Sequence, residues 1–183
     1  MLEIKIFFNY FSSLLVLMRD INMPTDFERI MAKKEVHSDE IMQLCAKRVE
    51  KYEGKSFIEK YALYMGMVQI LELQMKQIIY RQFGYNSEEE LKDLERKTFG
   101  QAVRILKAKK VRPDLIKLLE KNRDNRNNMA HSFLVDTMIS TSLGFSMKSI
   151  EVRQLDKSIF ELENLILFWE WCVKHEELMP TVN

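Results

Sequence analysis

The segment from Ser56 to Gly84 reads SFIEKYALYMGMVQILELQMKQIIYRQFG, and it predicts one long α-helix that is buried on more than one side. Its apolar residues recur every three or four positions, which is the spacing of one face of an α-helix. Further apolar residues widen this stripe beyond about 100° of arc, which predicts a central place in a helical bundle or in a subunit interface. The stripe comprises Phe57, Tyr61, Tyr64, Met65, Val68, Leu71, Met75, Ile78 and Ile79, with Ile58, Met67, Ile70 and Leu73 beside it.

The composition favours long helices throughout the chain. Five glycines and three prolines in 183 residues are few, and a strand-rich fold needs more of both in its turns. Four capping-box motifs mark helix starts, because a Ser or Thr side chain and a Glu or Gln three residues later satisfy each other's exposed N–H groups. These motifs are Thr25/Glu28, Ser56/Glu59, Ser87/Glu90 and Thr98/Gln101.

The fold class predicted from these signals is an all-α, up-and-down bundle of about five to six helices. Pro113 suits the first position of a helix. A β-branched, serine-rich segment containing Gly144 predicts a loop or small hairpin. The expected elements are helices over 25–53, with a break near 36–38 left open, 56–83, 87–96, 98–109, 113–135 and 150–177, and the loop or hairpin over 136–148.

The N-terminal residues form an apolar segment, Ile4 to Met18, which is too short to cross a bilayer. Arg19 and Asp20 follow it where a signal peptide needs small residues. We therefore expect an N-terminal apolar extension over 1–22, which an over-extended start would also explain, and one domain over 23–183. Cys45 and Cys172 match no zinc or redox spacing, which predicts buried free thiols in a cytoplasmic protein without membrane association.

Nine consecutive polar residues, Glu120 to Asn128, interrupt the helix predicted over 113–135. Within this run Arg126 lies seven positions from both Leu119 and Phe133, and so it falls on the apolar stripe. A guanidinium there needs an anionic or carbonyl partner, because an unpaired charge costs several kcal/mol. His131 follows five residues later, about 140° of arc and about 7.5 Å along an α-helix. The two side chains are therefore predicted to flank one cleft without touching each other.

The sequence Arg126-Asn127-x-x-Ala130-His131 resembles the R-x4–6-H signature of the HEPN superfamily. The resemblance implies a helical homodimer whose paired motifs line one cleft. It further implies a metal-independent endoribonuclease, free of cofactors, that belongs to a toxin–antitoxin or phage-defence system and works with an antitoxin or defence partner protein. Some members carry a tyrosine two positions after the histidine as a regulatory modification site; Phe133 occupies that position here.

The chemistry of RNA cleavage suits the same residues. Transesterification needs a group that moves protons and a positive charge that stabilises the phosphorane, and His131 and Arg126 are predicted to supply them. A two-fold axis provides a second copy of each. Asn127 is expected to orient either group or the phosphate, with Asp124 and Arg123 in support.

Positive charge is concentrated just before this motif. From Gln101 to Arg126 the chain carries nine Lys or Arg residues against three Asp or Glu residues, which predicts a basic surface that binds the RNA backbone. For the basic surface, the alternative is a lysine-rich helix that only contacts solvent. For Arg126 and His131, the alternative is a structural polar contact at the subunit interface. The alternative function is a non-catalytic HEPN-like module that binds RNA or protein and contributes only dimerisation. The predicted RNA-binding residues are Arg104, Lys107, Lys109, Lys110 and Arg112.

Overall fold

The computed structural model describes residues 38–179 apart from 86, 134, 136–137, 140–141 and 143–148. These residues form six α-helices and no strand, so the all-α prediction is confirmed. The helices are α1 (Ser38–Val49), α2 (Phe57–Gln82), α3 (Glu88–Arg96), α4 (Phe99–Ala108), α5 (Pro113–Asn128) and α6 (Ser149–Lys174), with a 3-10 turn at Glu50–Tyr52 and a π-helical turn at Met129–Phe133.

The chain divides into two compact units, 1–44 and 45–183. Of the first unit only 38–44, the beginning of α1, belongs to the described residues, and the predicted extension over 1–22 lies outside them. The fold and the candidate site described below belong to the second unit. Among the described helices, none is both long enough and apolar enough to cross a membrane.

Three of the four predicted capping boxes are present. The hydroxyls of Ser56, Ser87 and Thr98 accept the backbone N–H three residues later, and the side chain at that position accepts the N–H of the capping residue. The fourth motif, at Thr25, lies outside the described residues. Phe83 is the C-terminal capping residue of α2, and Gly84 follows with φ +84°, a conformation that glycine adopts without a Cβ clash.

The helix predicted over 113–135 is helical at every described residue, but Met129–Phe133 are π-helical rather than α-helical. A second prediction is wrong. The loop or hairpin expected over 136–148 is contradicted at Met138, Ile139 and Ser142, which are helical. The Ser142 hydroxyl donates to the carbonyl of Ile139 at 2.8 Å, so this serine bonds back to the preceding turn rather than opening the chain into a loop.

Helix α5 packs antiparallel to α4 and α6. Its C-terminal end meets the start of α2, where the Tyr61 hydroxyl donates to the carbonyl of Met129 at 3.0 Å. It also meets the start of α4, because the side chain of Arg123 lies against Gly100. At the other end of the bundle, the backbone N–H of Arg112 donates to the carbonyl of Leu178, just beyond α6, at 2.9 Å.

Most apolar side chains of α6 are buried within the chain, so this helix has a central position in the bundle. Helix α2, for which the sequence left a central position or a subunit interface open, differs, since Ile58 is 59% exposed and Leu63 40% exposed. Helix α2 therefore carries exposed apolar surface as well as a buried face. The buried residues of α6 are Leu155, Ile159, Leu162, Leu165, Ile166, Leu167, Trp169 and Cys172.

A completely buried carboxylate, Glu163, joins α6 to the segment that precedes α2. It accepts hydrogen bonds from the Tyr52 hydroxyl at 2.7 Å and from Arg48 Nε at 2.9 Å, and Lys51 Nζ lies at 2.7 Å. Arg48 also donates to Glu170 at 3.0 Å. Burial alone raises a carboxyl pKa. The positive charges of Lys51 and Arg48 outweigh burial, so the pKa of Glu163 lies below its usual value.

We predict that Glu163→Gln lowers the free energy of unfolding by about 3 kcal/mol at pH 7, because two cations lose a buried partner. The native pKa of Glu163 is lowered, so its contribution is complete above the ordinary carboxyl pKa of about 4.3. It is lost as the pH falls through the lower native value. Urea unfolding at several pH values should therefore show a constant difference down to about pH 5 and a smaller one below about pH 4.

The matched control is Glu88→Gln, which removes a carboxylate from an exposed pair with Lys92. This substitution should leave the unfolding midpoint unchanged, because exposed pairs contribute little. Equal effects of the two substitutions would show that the buried cluster does not stabilise the fold.

Candidate functional site

The candidate site is built on the change from α- to π-helix at the end of α5. A π-turn is rare, and where it occurs it often marks a functional position. Two residues of α2 hold it in place. The Tyr61 hydroxyl binds the carbonyl of Met129, and the ring of Phe57 stacks on that of Phe133 with 5.6 Å between centroids. The turn that carries His131 is therefore fixed to the start of α2.

Arg126 is half-buried, as its place on the apolar stripe predicts, and its Nη1 donates to Asn127 Oδ1 at 3.2 Å. It lies close to the buried hydroxyl of Tyr64. Burial, and then the charge of Glu161, raise the pKa of that hydroxyl, whereas the charge of Arg126 acts in the opposite direction. The guanidinium therefore lies at the boundary between the core and solvent.

His131 is exposed, on the π-turn. The separation of about 140° from Arg126 assumed α-helical geometry throughout. Because a π-turn places more residues in each turn, successive side chains rotate less, and that figure is too large. The two side chains thus point in more similar directions than the sequence predicts, one half-buried and one in solvent.

The three predicted supporting residues make two contacts, one with Arg126 and one between Asp124 and Arg123. Asn127 binds Arg126, as expected of an orienting residue. Asp124 binds Arg123, with 2.9 Å to Nε and 2.8 Å to Nη2. Arg123 lies against Gly100, where a Cβ atom would be 3.1 Å from Arg123 Cδ. The second pair therefore joins α5 to α4 on the flank of the site.

Two lysines of the predicted basic surface are engaged within the chain. Lys107 pairs with Glu120 of α5 at 2.7 Å, and Lys109 donates to the carbonyl of Phe83 at 3.0 Å. The second contact satisfies an exposed carbonyl at the end of α2. Both cations thus have a role in helix packing.

Arg112 is similarly engaged. Its guanidinium binds both carboxylate oxygens of Asp114 at 2.8 Å and lies over the ring of Phe168, 4.9 Å from the centroid. Arg104, Lys107, Lys109 and Lys110 are exposed and Arg112 is half-buried. Three of the five predicted RNA-binding residues, Lys107, Lys109 and Arg112, are therefore already bound to partners within the described part of the chain.

Sequence reasoning missed a cleft of about 260 Å³ between α5 and α6. At its centre the carboxylate of Glu161 accepts from Asn125 Nδ2 at 2.8 Å and pairs with Lys121 Nζ at 3.0 Å. The sequence feature that could have predicted this cleft is the spacing of Lys121, Asn125 and Asn128, which places polar side chains on one face of a core helix. The lining residues are Lys121, Asn125, Asn128, Met129, Gln154, Lys157, Ser158 and Glu161.

Two buried polar groups lie near the site without a partner among the described residues. Both amide atoms of Asn122, one turn before Arg126, and the hydroxyl of Tyr64 make no hydrogen bond there. Asn122 is 3% exposed and Tyr64 is fully buried. An unpaired buried polar group costs about 1–3 kcal/mol.

The described residues contain no group of three or more His, Cys, Asp and Glu side chains placed to hold a metal ion. Both cysteines are free and buried, as predicted, and burial raises the pKa of each thiol to about 11. No protein-family model, curated protein or solved structure matches this chain.

We predict that Asn122→Leu raises the free energy of unfolding by about 1 kcal/mol, because it removes two unpaired polar atoms and keeps the branched side-chain shape. Urea unfolding measures this directly. Asn125→Leu is the matched control on the same helix and should lower stability, since it removes the hydrogen bond to Glu161. A loss of stability in Asn122→Leu would mean that the native amide is satisfied.

Proposed function

We propose that this protein is a HEPN-like, metal-independent endoribonuclease of a toxin–antitoxin or phage-defence system that acts as a homodimer. The observation that carries the proposal is that half-buried Arg126 and exposed His131 lie on either side of the change from α- to π-helix at Met129. A core helix that gives up apolar packing and regular geometry at one place suggests selection for something other than stability.

In the proposed reaction the 2′-oxygen of the RNA attacks the adjacent phosphorus, and the bond to the 5′-oxygen breaks. One His131 takes the 2′-hydroxyl proton, and His131 of the other subunit donates a proton to the departing 5′-oxygen. The products are a 2′,3′-cyclic phosphate and a 5′-hydroxyl. Arg126, oriented by Asn127, binds the phosphate oxygens and stabilises the charge of the phosphorane.

Exposed apolar side chains at the motif end of the bundle support dimer formation. Exposed Ile58 is next to Phe57, the first residue of α2, whose ring stacks on that of Phe133, and Val135, two residues after Phe133, is also exposed. Large exposed apolar side chains grouped at one place are typical of an interaction surface. A two-fold contact here would bring the two copies of the motif near one cleft. Leu63 of α2, and Met138 and Ile139 farther along the chain, are also exposed.

Cleavage of RNA in EDTA tests the chemistry. His131→Ala and Arg126→Ala should each reduce the rate about a hundredfold or more. Arg126→Lys should recover little, because a lysine cannot bind a phosphate bidentately. Products ending in 2′,3′-cyclic phosphate are expected. The matched controls are His175→Ala and Arg96→Ala, which remove exposed side chains away from the motif.

The proposal fails if the purified wild-type dimer cuts no RNA. A folded dimer that binds RNA or protein but does not cleave would instead identify the non-catalytic module. If both motif variants fail to fold and the wild type is inactive, Arg126 and His131 are structural residues of the subunit interface.

Assembly provides an independent test. The wild type should be a dimer at micromolar concentration in light scattering, and Ile58→Asp should shift it to monomer by placing a charge in the apolar contact. Met179→Asp, a similar change at an exposed methionine beyond α6, should leave the dimer intact. A monomeric wild type would remove the composite site.

A further inference from the structure

We propose that the cleft between α5 and α6 is a nucleobase pocket that prefers guanine and holds the base next to the scissile phosphate. This inference rests on the proposed function and adds its substrate specificity. The cleft is continuous with the motif along the chain, because Asn125 precedes Arg126 and both Asn128 and Met129 lie between Arg126 and His131. A base bound there has its phosphate within reach of the motif.

The size of the cleft restricts the ligand. Pockets for drug-sized molecules are usually about 300–1,000 Å³, and this cleft of about 260 Å³ falls below that range. It suits a single planar ring system. Its rim is open, because the side chains of Lys121 and Lys157 are largely exposed. A base can therefore enter while its sugar and phosphate remain in solvent.

The donors and acceptors of the cleft match guanine. Each Glu161 oxygen holds one strong partner, Asn125 on one and Lys121 on the other, and a carboxylate offers about four acceptor sites in all. Guanine presents two adjacent N–H groups, N1–H and N2–H, to the two oxygens of a carboxylate. Its O6 and N7 atoms accept from a lysine, and Lys157 lies 4.0 Å from Glu161.

The other bases fit less well. Adenine lacks a carbonyl oxygen for a lysine to bind. Uracil has a single ring N–H, and cytosine offers one amino group and no neighbouring ring N–H. Only guanine occupies both carboxylate oxygens and a lysine together. Single-stranded RNA exposes these base edges, which is how most proteins read RNA sequence.

The binding experiment uses nucleoside monophosphates and the full-length wild-type protein in isothermal titration calorimetry. GMP should bind about tenfold or more tightly than AMP, CMP or UMP, the discrimination expected of one bidentate contact. Inosine monophosphate, which lacks the 2-amino group, should bind more weakly than GMP. Glu161→Gln should remove the preference for GMP, because an amide oxygen and amide nitrogen cannot both accept.

Two further variants complete the design. Glu120→Gln is the matched control, since this glutamate lies on α5, pairs with Lys107 and does not line the cleft. It should bind GMP as wild type does. Lys157→Ala removes a largely exposed side chain, so folding is preserved, and it should weaken GMP binding at least about threefold by the loss of a base contact.

Cleavage of RNAs with a single guanine separates this inference from the proposed function. Cuts next to that guanine in wild type and scattered cuts in Glu161→Gln support the pocket. Cleavage without base preference, with equal affinity for the four nucleotides, overturns the pocket and leaves the ribonuclease standing. Selective GMP binding that Glu161→Gln removes, in a protein that cuts no RNA, supports a guanine pocket and overturns the ribonuclease.

Discussion

The antiparallel packing of α5 against α4 and α6 is the constraint on which the rest of the structure depends. Leu115 and Leu119 are fully buried on α5, and Met129, whose carbonyl accepts from Tyr61 of α2, is buried directly after it. The two neighbouring helices, together with this contact at the C-terminal end, therefore fix the rotation of α5 about its own axis. Because that rotation is fixed, Arg126 must lie at the core boundary and Asn125 must face α6. The candidate site and the cleft are two consequences of one packed helix.

The bundle combines strong stabilising contacts far from the motif with weak ones beneath it. Glu163 is buried with three hydrogen-bonded or ion-paired partners, whereas the amide of Asn122 has none among the described residues. Buried polar groups without partners lower stability. A fold can tolerate them when other parts compensate, and the Glu163 cluster is predicted to do so. Such a division is expected where residues are retained for a purpose other than packing.

Local chemistry made part of this fold predictable. The starts of α2, α3 and α4 follow from Ser56, Ser87 and Thr98, because a capping box involves only four consecutive residues. The place of Arg126 on the buried stripe follows from helical periodicity in the same way. These predictions succeed because each depends on contacts between residues close in sequence.

The features that were missed depend on contacts between distant segments. The π-turn depends on Tyr61 and Phe57, which lie about seventy residues before it in the chain. The cleft exists because Glu161 of α6 meets Asn125, and neither residue alone predicts it. The charge of Lys109 is visible in the sequence, whereas the carbonyl of Phe83 to which it donates is found only in the fold.

The charges of the two candidate sites act on one buried group. Burial raises the pKa of the Tyr64 hydroxyl, the negative charge of Glu161 raises it further, and the positive charge of Arg126 acts in the opposite direction. Charges of opposite sign across a poorly solvated region partly cancel each other's field. If the cleft binds a base as proposed, N–H groups donated to Glu161 disperse its negative charge and leave the field of Arg126 less compensated. In the proposed ribonuclease, a bound base would thus strengthen the attraction of Arg126 for a phosphate.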